Sequence, residues 1–129
     1  MKFNIPLLIL IGLIAYLAPA VYAKEKKEKK VYVGTTSWYG GGEPLNKYTA
    51  SGEIFDPNAL TAAMPDRAML GKQVKVTSFK TGRSLILRVN DIGPAKRLGR
   101  AIDLTKRAFY ILSDGNLEWG LMQVKIEIL

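Results

Sequence analysis

The feature that most confines this chain is the alternation in "KQVKVTSFKTGRSLILRVN", residues 72–90. Val74 and Val76 alternate with Lys75 and Thr77, and Leu85, Leu87 and Val89 alternate with Ile86 and Arg88. Successive side chains of a strand point to opposite faces, so each run predicts a strand with one face toward a core. Thr81-Gly82 supplies turn chemistry between them, and the whole reads as a hairpin. The tail "GLMQVKIEIL" alternates in the same way, with Met122, Val124, Ile126 and Ile128 on one face. From Val31, "VYVGTTSWYG" is rich in β-branched and aromatic residues and ends in a glycine run, and "RAIDL" is a further short strand. "GGGEPLNKY" reads as an exposed loop.

Only "TKRAFYILSDG", residues 105–115, looks helical. Ala108, Ile111 and Leu112 share a face at helical spacing, and Gly115 suits a stop. The stretch 49–66, "TASGEIFDPNALTAAMPD", admits two readings. Asp56-Pro57 caps one helical turn, or Thr61 to Ala63 form a short strand. One helix among many short strands leaves no room for βαβ units. The pattern predicts a mainly β fold, a small closed barrel whose closure protects the strand edges.

The chain has 129 residues, enough for one domain. Its first 23 differ from the rest. One Lys precedes an apolar stretch, and Val21-Tyr22-Ala23 offers signal peptidase small residues at the third-last and last positions. The expectation is a secretory signal peptide over 1–23, cleaved after Ala23, and a periplasmic protein. The competing reading is an uncleaved anchor, but Ile5 to Val21 is short for a span of roughly 20 residues and holds Pro6 and Pro19. "KEKKEKK", 24–30, then reads as a charged, solvated tether, or as a segment that helps hold the protein near an anionic surface.

Cysteine and histidine are both absent. No disulfide staples the fold despite the expected export, so the mature chain, 24–129, must be held by its own core. No Cys follows the signal, which argues against a lipid anchor. The two absences also remove Ser-His-Asp triads, cysteine nucleophiles and His-rich zinc sites. Any chemistry falls to carboxylates, with no metal and no cofactor expected. Net charge is +8, or +7 once Lys2 leaves with the signal. Export argues against nucleic acid as the partner and for cell-wall glycans or lipid headgroups.

"SWYG", "ASGEIFDPNALTAAMP", "GKQVKVTSFKTGRSLILRVNDIGP" and "GRAIDLTKRAFYIL" resemble, in order and spacing, the rare lipoprotein A (RlpA) family. The resemblance covers roughly residues 34–129. It implies a six-stranded double-psi β-barrel with one or two short helices, the fold also found in expansins and family 45 endoglucanases. It implies exported proteins acting on peptidoglycan, the enzymes among them being lytic transglycosylases that prefer glycan strands stripped of stem peptides. It places Glu53, Asp56, Asp91 and Asp103 at functional positions, with Asp103 matching the general acid of related barrels. The chain departs from the family at Met64, Ile92 and Ala95, where His, Arg and an aromatic are frequent. It also shows neither the lipoprotein Cys nor the C-terminal peptidoglycan-binding repeat domain, so septal targeting through that domain is not implied.

A lytic transglycosylase needs one carboxylic acid that keeps its proton near neutral pH, in an apolar or like-charged setting. Asp103 lies between Ile102 and Leu104 in sequence, and a nearby Asp91 would favour the proton while Arg88 or Arg100 would oppose it. The plainer alternative is that Asp103 caps the following helix. Asn90 and Asp91 also fit ordinary turn chemistry before Gly93-Pro94. Glu53 reads either as a site residue or as a solvated surface acid, and Asp56 as a cap. Trp38 and Tyr39 offer either a floor for a sugar ring or core packing, whereas Trp119 reads as core. Lys96, Arg97, Arg100, Lys106 and Arg107 form a basic cluster suited to a lactyl carboxylate, or simply a solvated rim. Substrate contacts are expected from Trp38, Tyr39, Arg88, Asn90 and Arg100. Three functions compete: a monomeric lytic transglycosylase, an expansin-like glycan-binding or wall-loosening module, and a structural envelope protein.

Overall fold

The computed structural model describes residues 30–43, 45–94 and 98–129. The expected signal peptide and nearly all of the tether lie outside these residues, as do Ala95, Lys96 and Arg97.

Six strands close into a barrel in the order β1-β5-β2-β4-β3-β6. They are β1 Val31–Tyr39, β2 Thr61–Met64, β3 Gln73–Ser78, β4 Ser84–Ile92, β5 Ile102–Thr105 and β6 Met122–Ile128. The hairpin is β3 and β4, paired antiparallel from Gln73↔Arg88 to Thr77↔Ser84. Gly82 takes the left-handed conformation (φ 75°) that its turn requires. The second reading of 49–66 holds: Asp56-Pro57 opens a turn, and Thr61–Met64 is a fully buried strand.

Two pairings are parallel, β1 with β5 and β2 with β4, and the rest are antiparallel. A parallel pair cannot be joined by a tight hairpin. The chain therefore makes long crossovers, and the connections that follow β1 and β4 border one end of the barrel. With its crossed parallel pairs, the six-stranded barrel is a double-psi barrel.

Alternation fills the interior. Val74 and Val76, Leu87 and Val89, Ile102 and Leu104, and Val124 and Ile126 are fully or almost fully buried. The helix α1, Lys106–Leu112, adds Ala108, Phe109 and Leu112 to the same cluster. It is shorter than the 105–115 predicted, and its N-cap is Thr105, whose Oγ1 accepts the Ala108 amide at 3.3 Å. Asp103 is thus not the cap; it lies two residues before it, inside β5.

Candidate active site

Strand register sets Asp91 and Asp103 at one level. Ala63 of β2 pairs with Asp103 of β5 on one side and with Asp91 of β4 on the other. Directly paired residues project to the same face, so the two carboxylates flank a methyl floor with Cα atoms on the order of 10 Å apart, two strand spacings. Ser37 of β1 pairs with Asp103 from the far side and extends the row. A bulge between Ala62 and Ala63 makes this alignment possible, because the register passes from Val89 to Asp91 and omits Asn90.

The row opens into a cleft of about 420 Å³, lined by Tyr39, Glu43, Phe55, Asp91, Ile92 and Asp103 among others. That volume lies within the range of small-ligand sites. Its rim comes from the 40–48 loop and from Gly93-Pro94.

Asp103 is half-buried and accepts a hydrogen bond on Oδ1 from the Ser37 hydroxyl. Burial pushes its carboxyl above the usual aspartate range; the Ser37 bond and the Arg100 charge oppose this, and Glu43 reinforces it. The desolvation does not come from Ile102 and Leu104, contrary to the reading from sequence neighbours. Those side chains point into the barrel core and are wholly buried there, while Asp103 projects to the opposite face.

Asp91 combines cleft and scaffold. Its Oδ1 accepts the amides of Ala50 (3.0 Å) and Ile92 (2.9 Å), tying the 49–53 loop to β4. Tyr39 lies in the cleft with its ring against Phe55, centroids 4.8 Å apart. Its buried hydroxyl has no partner among the described residues. Burial first, then the charges of Asp91 and Asp103, push that phenol well above its ordinary range.

Glu53 and Asp56 do not line the cleft. Glu53 is held by the Arg88 guanidinium in a forked ion pair, with Nη2 to Oε2 at 2.7 Å. That pairing holds its carboxyl down at about 2. Both partners remain more than a third exposed, so the pair contributes little to stability. Asp56 is exposed and its Oδ1 accepts the Asn58 amide at 2.9 Å, which closes the turn before β2.

Asn90 is buried and its carbonyl accepts the Ser51 amide at 3.0 Å, while its Oδ1 has no partner among the described residues. Arg100 is half-buried, its Nε has no partner among the described residues, and it acts on Asp103 through its charge. Trp38 does not share the floor with Tyr39. Neighbours on a strand face opposite ways, and Trp38 packs toward Phe109 and donates its indole N–H to the Leu117 carbonyl at 3.2 Å. Trp119 packs against the core, with Lys80 Nζ 4.0 Å from its ring centroid. Of the departures from the family pattern, Met64 is buried in the core cluster and Ile92 forms an apolar wall of the cleft.

Sequence reasoning missed Ser37 and Glu43. Ser37 is a buried hydroxyl directly before the aromatic pair, and that placement was a usable signal. Glu43 gave none, because its position depends on how the glycine loop folds back.

Residues 31–126 match the family described as "Lytic transglycolase". The endolytic peptidoglycan transglycosylase RlpA of Yersinia pestis is 49% identical over 76 residues, 59% of this chain and 20% of that protein. The protein of that name from Rickettsia bellii is 44% identical over 98 residues, 74% of this chain and 41% of its own. The chain thus spans well under half the length of these relatives. Among solved structures, Streptomyces papain inhibitor superposes with a TM-score of 0.61 at 22% identity, over 78% of this chain and 94% of that one. A Clavibacter michiganensis expansin gives 0.60 at 18%, over 78% and 50%. These two likenesses speak for the barrel alone, whereas the match over 31–126 and the RlpA relatives establish kinship: the chain belongs to the RlpA-like lytic transglycolase family of double-psi β-barrels.

Proposed function

We propose that this protein is an exported lytic transglycosylase that cleaves the bond between N-acetylmuramic acid and N-acetylglucosamine in peptide-stripped peptidoglycan strands. The observation that carries the reading is the Asp103–Ala63–Asp91 row at the mouth of a sugar-sized cleft, with Asp103 biased by burial toward its protonated form. Asp103 gives its proton to the glycosidic oxygen as the C1–O bond breaks. The new carboxylate then takes the proton of the muramyl 6-hydroxyl as that oxygen attacks C1. The leaving strand gains a free 4-hydroxyl, the other ends in a 1,6-anhydro ring, and no water is consumed. Ser37 orients the acid, and Asp91 supplies negative charge opposite it. Glu53, Arg88, Asp56 and Asn90 act by holding the loops around the cleft. Arg100, whose charge reaches Asp103, attracts a lactyl carboxylate freed by removal of the stem peptide. The names of the relatives support a peptidoglycan substrate, and the apolar leader supports export to the periplasm. The protein works as a monomer and needs no cofactor.

A second reading, an expansin-like module that binds glycan without cutting it, draws on the apolar Ile92 wall and on the placement of Glu53 and Asp56 outside the cleft. Digestion of purified, peptide-stripped glycan strands followed by mass spectrometry separates the two. The enzyme yields products ending in 1,6-anhydromuramic acid, and Asp103→Asn abolishes them. Retention of glycan with no products would establish the binding module. Products that have gained water would replace lyase chemistry by hydrolysis.

A further inference from the structure

The loop after β1 carries a carboxylate that the reaction above does not use. Glu43 lines the same cleft as Asp91 and Asp103. Its Oε1 accepts the Gly40 amide at 2.7 Å and its Oε2 the Gly41 amide at 2.8 Å. Both oxygens are thereby fixed, although the side chain is exposed. The loop that supplies these amides is itself held. A Cβ on Gly40 would lie 2.8 Å from the Phe55 ring, and one on Gly41 would lie 2.6 Å from the Trp38 ring. Glycine is required at both positions for the backbone to pack this closely on two aromatics. Gly40 also takes a positive φ of 94° that favours glycine. The "GGGE" segment is thus an amide clamp anchored on Trp38 and Phe55, with a carboxylate in its grip.

We propose that Glu43 is a positioning residue of this cleft: the Gly40 and Gly41 amides fix its carboxylate at the rim, where its negative charge acts on Asp103 and on the positive charge developing in a bound sugar ring. The two carboxylates are prepared in opposite senses. The Gly40 amide, chiefly, holds Glu43 below the ordinary glutamate range, while burial raises Asp103 and Glu43 adds to that rise. Two acids whose surroundings drive them apart divide the roles of proton donor and fixed anion. Among the described residues, the polar and charged groups that bear on Asp103 are Ser37 and Tyr39 from β1, Asp91 from β4, Arg100 from the segment before β5, and Glu43. Arg100 and Ser37 pull its proton off; Glu43 works against both.

The effect on turnover rests on the transglycosylase reading, but the effect on Asp103 does not. The test is a titration of the Asp103 carboxyl carbon by NMR in aspartate-labelled protein, for the parent, Glu43→Gln and Glu43→Asp. Removing the charge in Glu43→Gln moves the Asp103 midpoint to lower pH. Glu43→Asp keeps the charge and titrates above Glu43→Gln. In glycan digestion, Glu43→Gln loses kcat/KM mainly on the alkaline side, with KM little changed. An unmoved midpoint in Glu43→Gln overturns the proposal, and so does an equal fall in both variants, which would assign the effect to shape. If the parent makes no anhydro product yet the midpoint falls in Glu43→Gln alone, the transglycosylase reading fails and the coupling stands. If anhydro products form while the midpoint stays unmoved, the coupling fails and the transglycosylase reading stands.

Discussion

Gly34→Ala tests one contact on which the alignment of Ser37 with Asp103 depends. A Cβ built on Gly34 lies 2.5 Å from the Cβ of Ala101. Carbon atoms at rest sit about 3.5–4.0 Å apart, so β1 and the segment entering β5 must separate by roughly 1–1.5 Å. The Ala101 amide donates to the Thr35 carbonyl at 2.9 Å across the same gap, so the shift strains that bond too. Gly34 is not among the glycines with positive φ, and alanine there meets no backbone penalty. Overpacking costs about 1–3 kcal/mol. Reduced freedom of the unfolded chain returns about 0.4–1 kcal/mol. The expected net loss is roughly 0–2.6 kcal/mol, with each kcal/mol lowering the melting temperature by about 4–8 °C in a domain of this size. Urea unfolding of the parent, Gly34→Ala, Ala101→Gly and the double variant completes a cycle. The double variant moves the methyl group to the other side of the contact and should recover about 1–2 kcal/mol relative to the sum of the single changes. If the two changes add to within about 0.5 kcal/mol, the steric explanation is wrong.

Two further outcomes follow from the cleft. Tyr39→Phe removes a buried hydroxyl that has no partner among the described residues, so thermal stability should hold or rise, while glycan affinity by calorimetry should fall about 2–10-fold, the worth of one hydrogen bond. Asp103→Asn should stabilise the protein at neutral pH. Burial raises the folded carboxyl above its unfolded value; stability from the neutral acid is therefore complete below about pH 4 and is lost as pH rises through the folded midpoint. Asparagine is not subject to that loss, so its advantage in melting temperature should grow from pH 4 toward pH 8.

The barrel was legible because alternation is a local property. Val74, Val76, Leu87, Val89, Val124 and Ile126 are as buried as their spacing predicted. The helix start was misassigned by only one residue, and its end came early where Ser113 takes the C-cap. The site was harder to read for physical reasons. Ile102 and Leu104 flank Asp103 in sequence but face away from it, so the surroundings of the acid come from other strands. The meeting of Asp91 with Asp103 depends on both pairing with Ala63 across a bulge, which no local pattern encodes. Trp38 and Tyr39 read together as a sugar floor or as core packing, yet adjacent strand residues diverge: Tyr39 enters the cleft and Trp38 packs on the core. Glu53 and Arg88 are 35 positions apart, and no local pattern announces their pairing at the side of the cleft.

The most direct test of the central claim is a crystal structure of Asp103→Asn bound to a peptide-stripped glycan oligomer. The predicted complex has a glycosidic oxygen within hydrogen-bond distance, about 3 Å, of the residue 103 side chain, with sugar over Ala63 and against Tyr39. A glycan that instead runs past Glu53 and Asp56, with no linkage oxygen near residue 103, would contradict it.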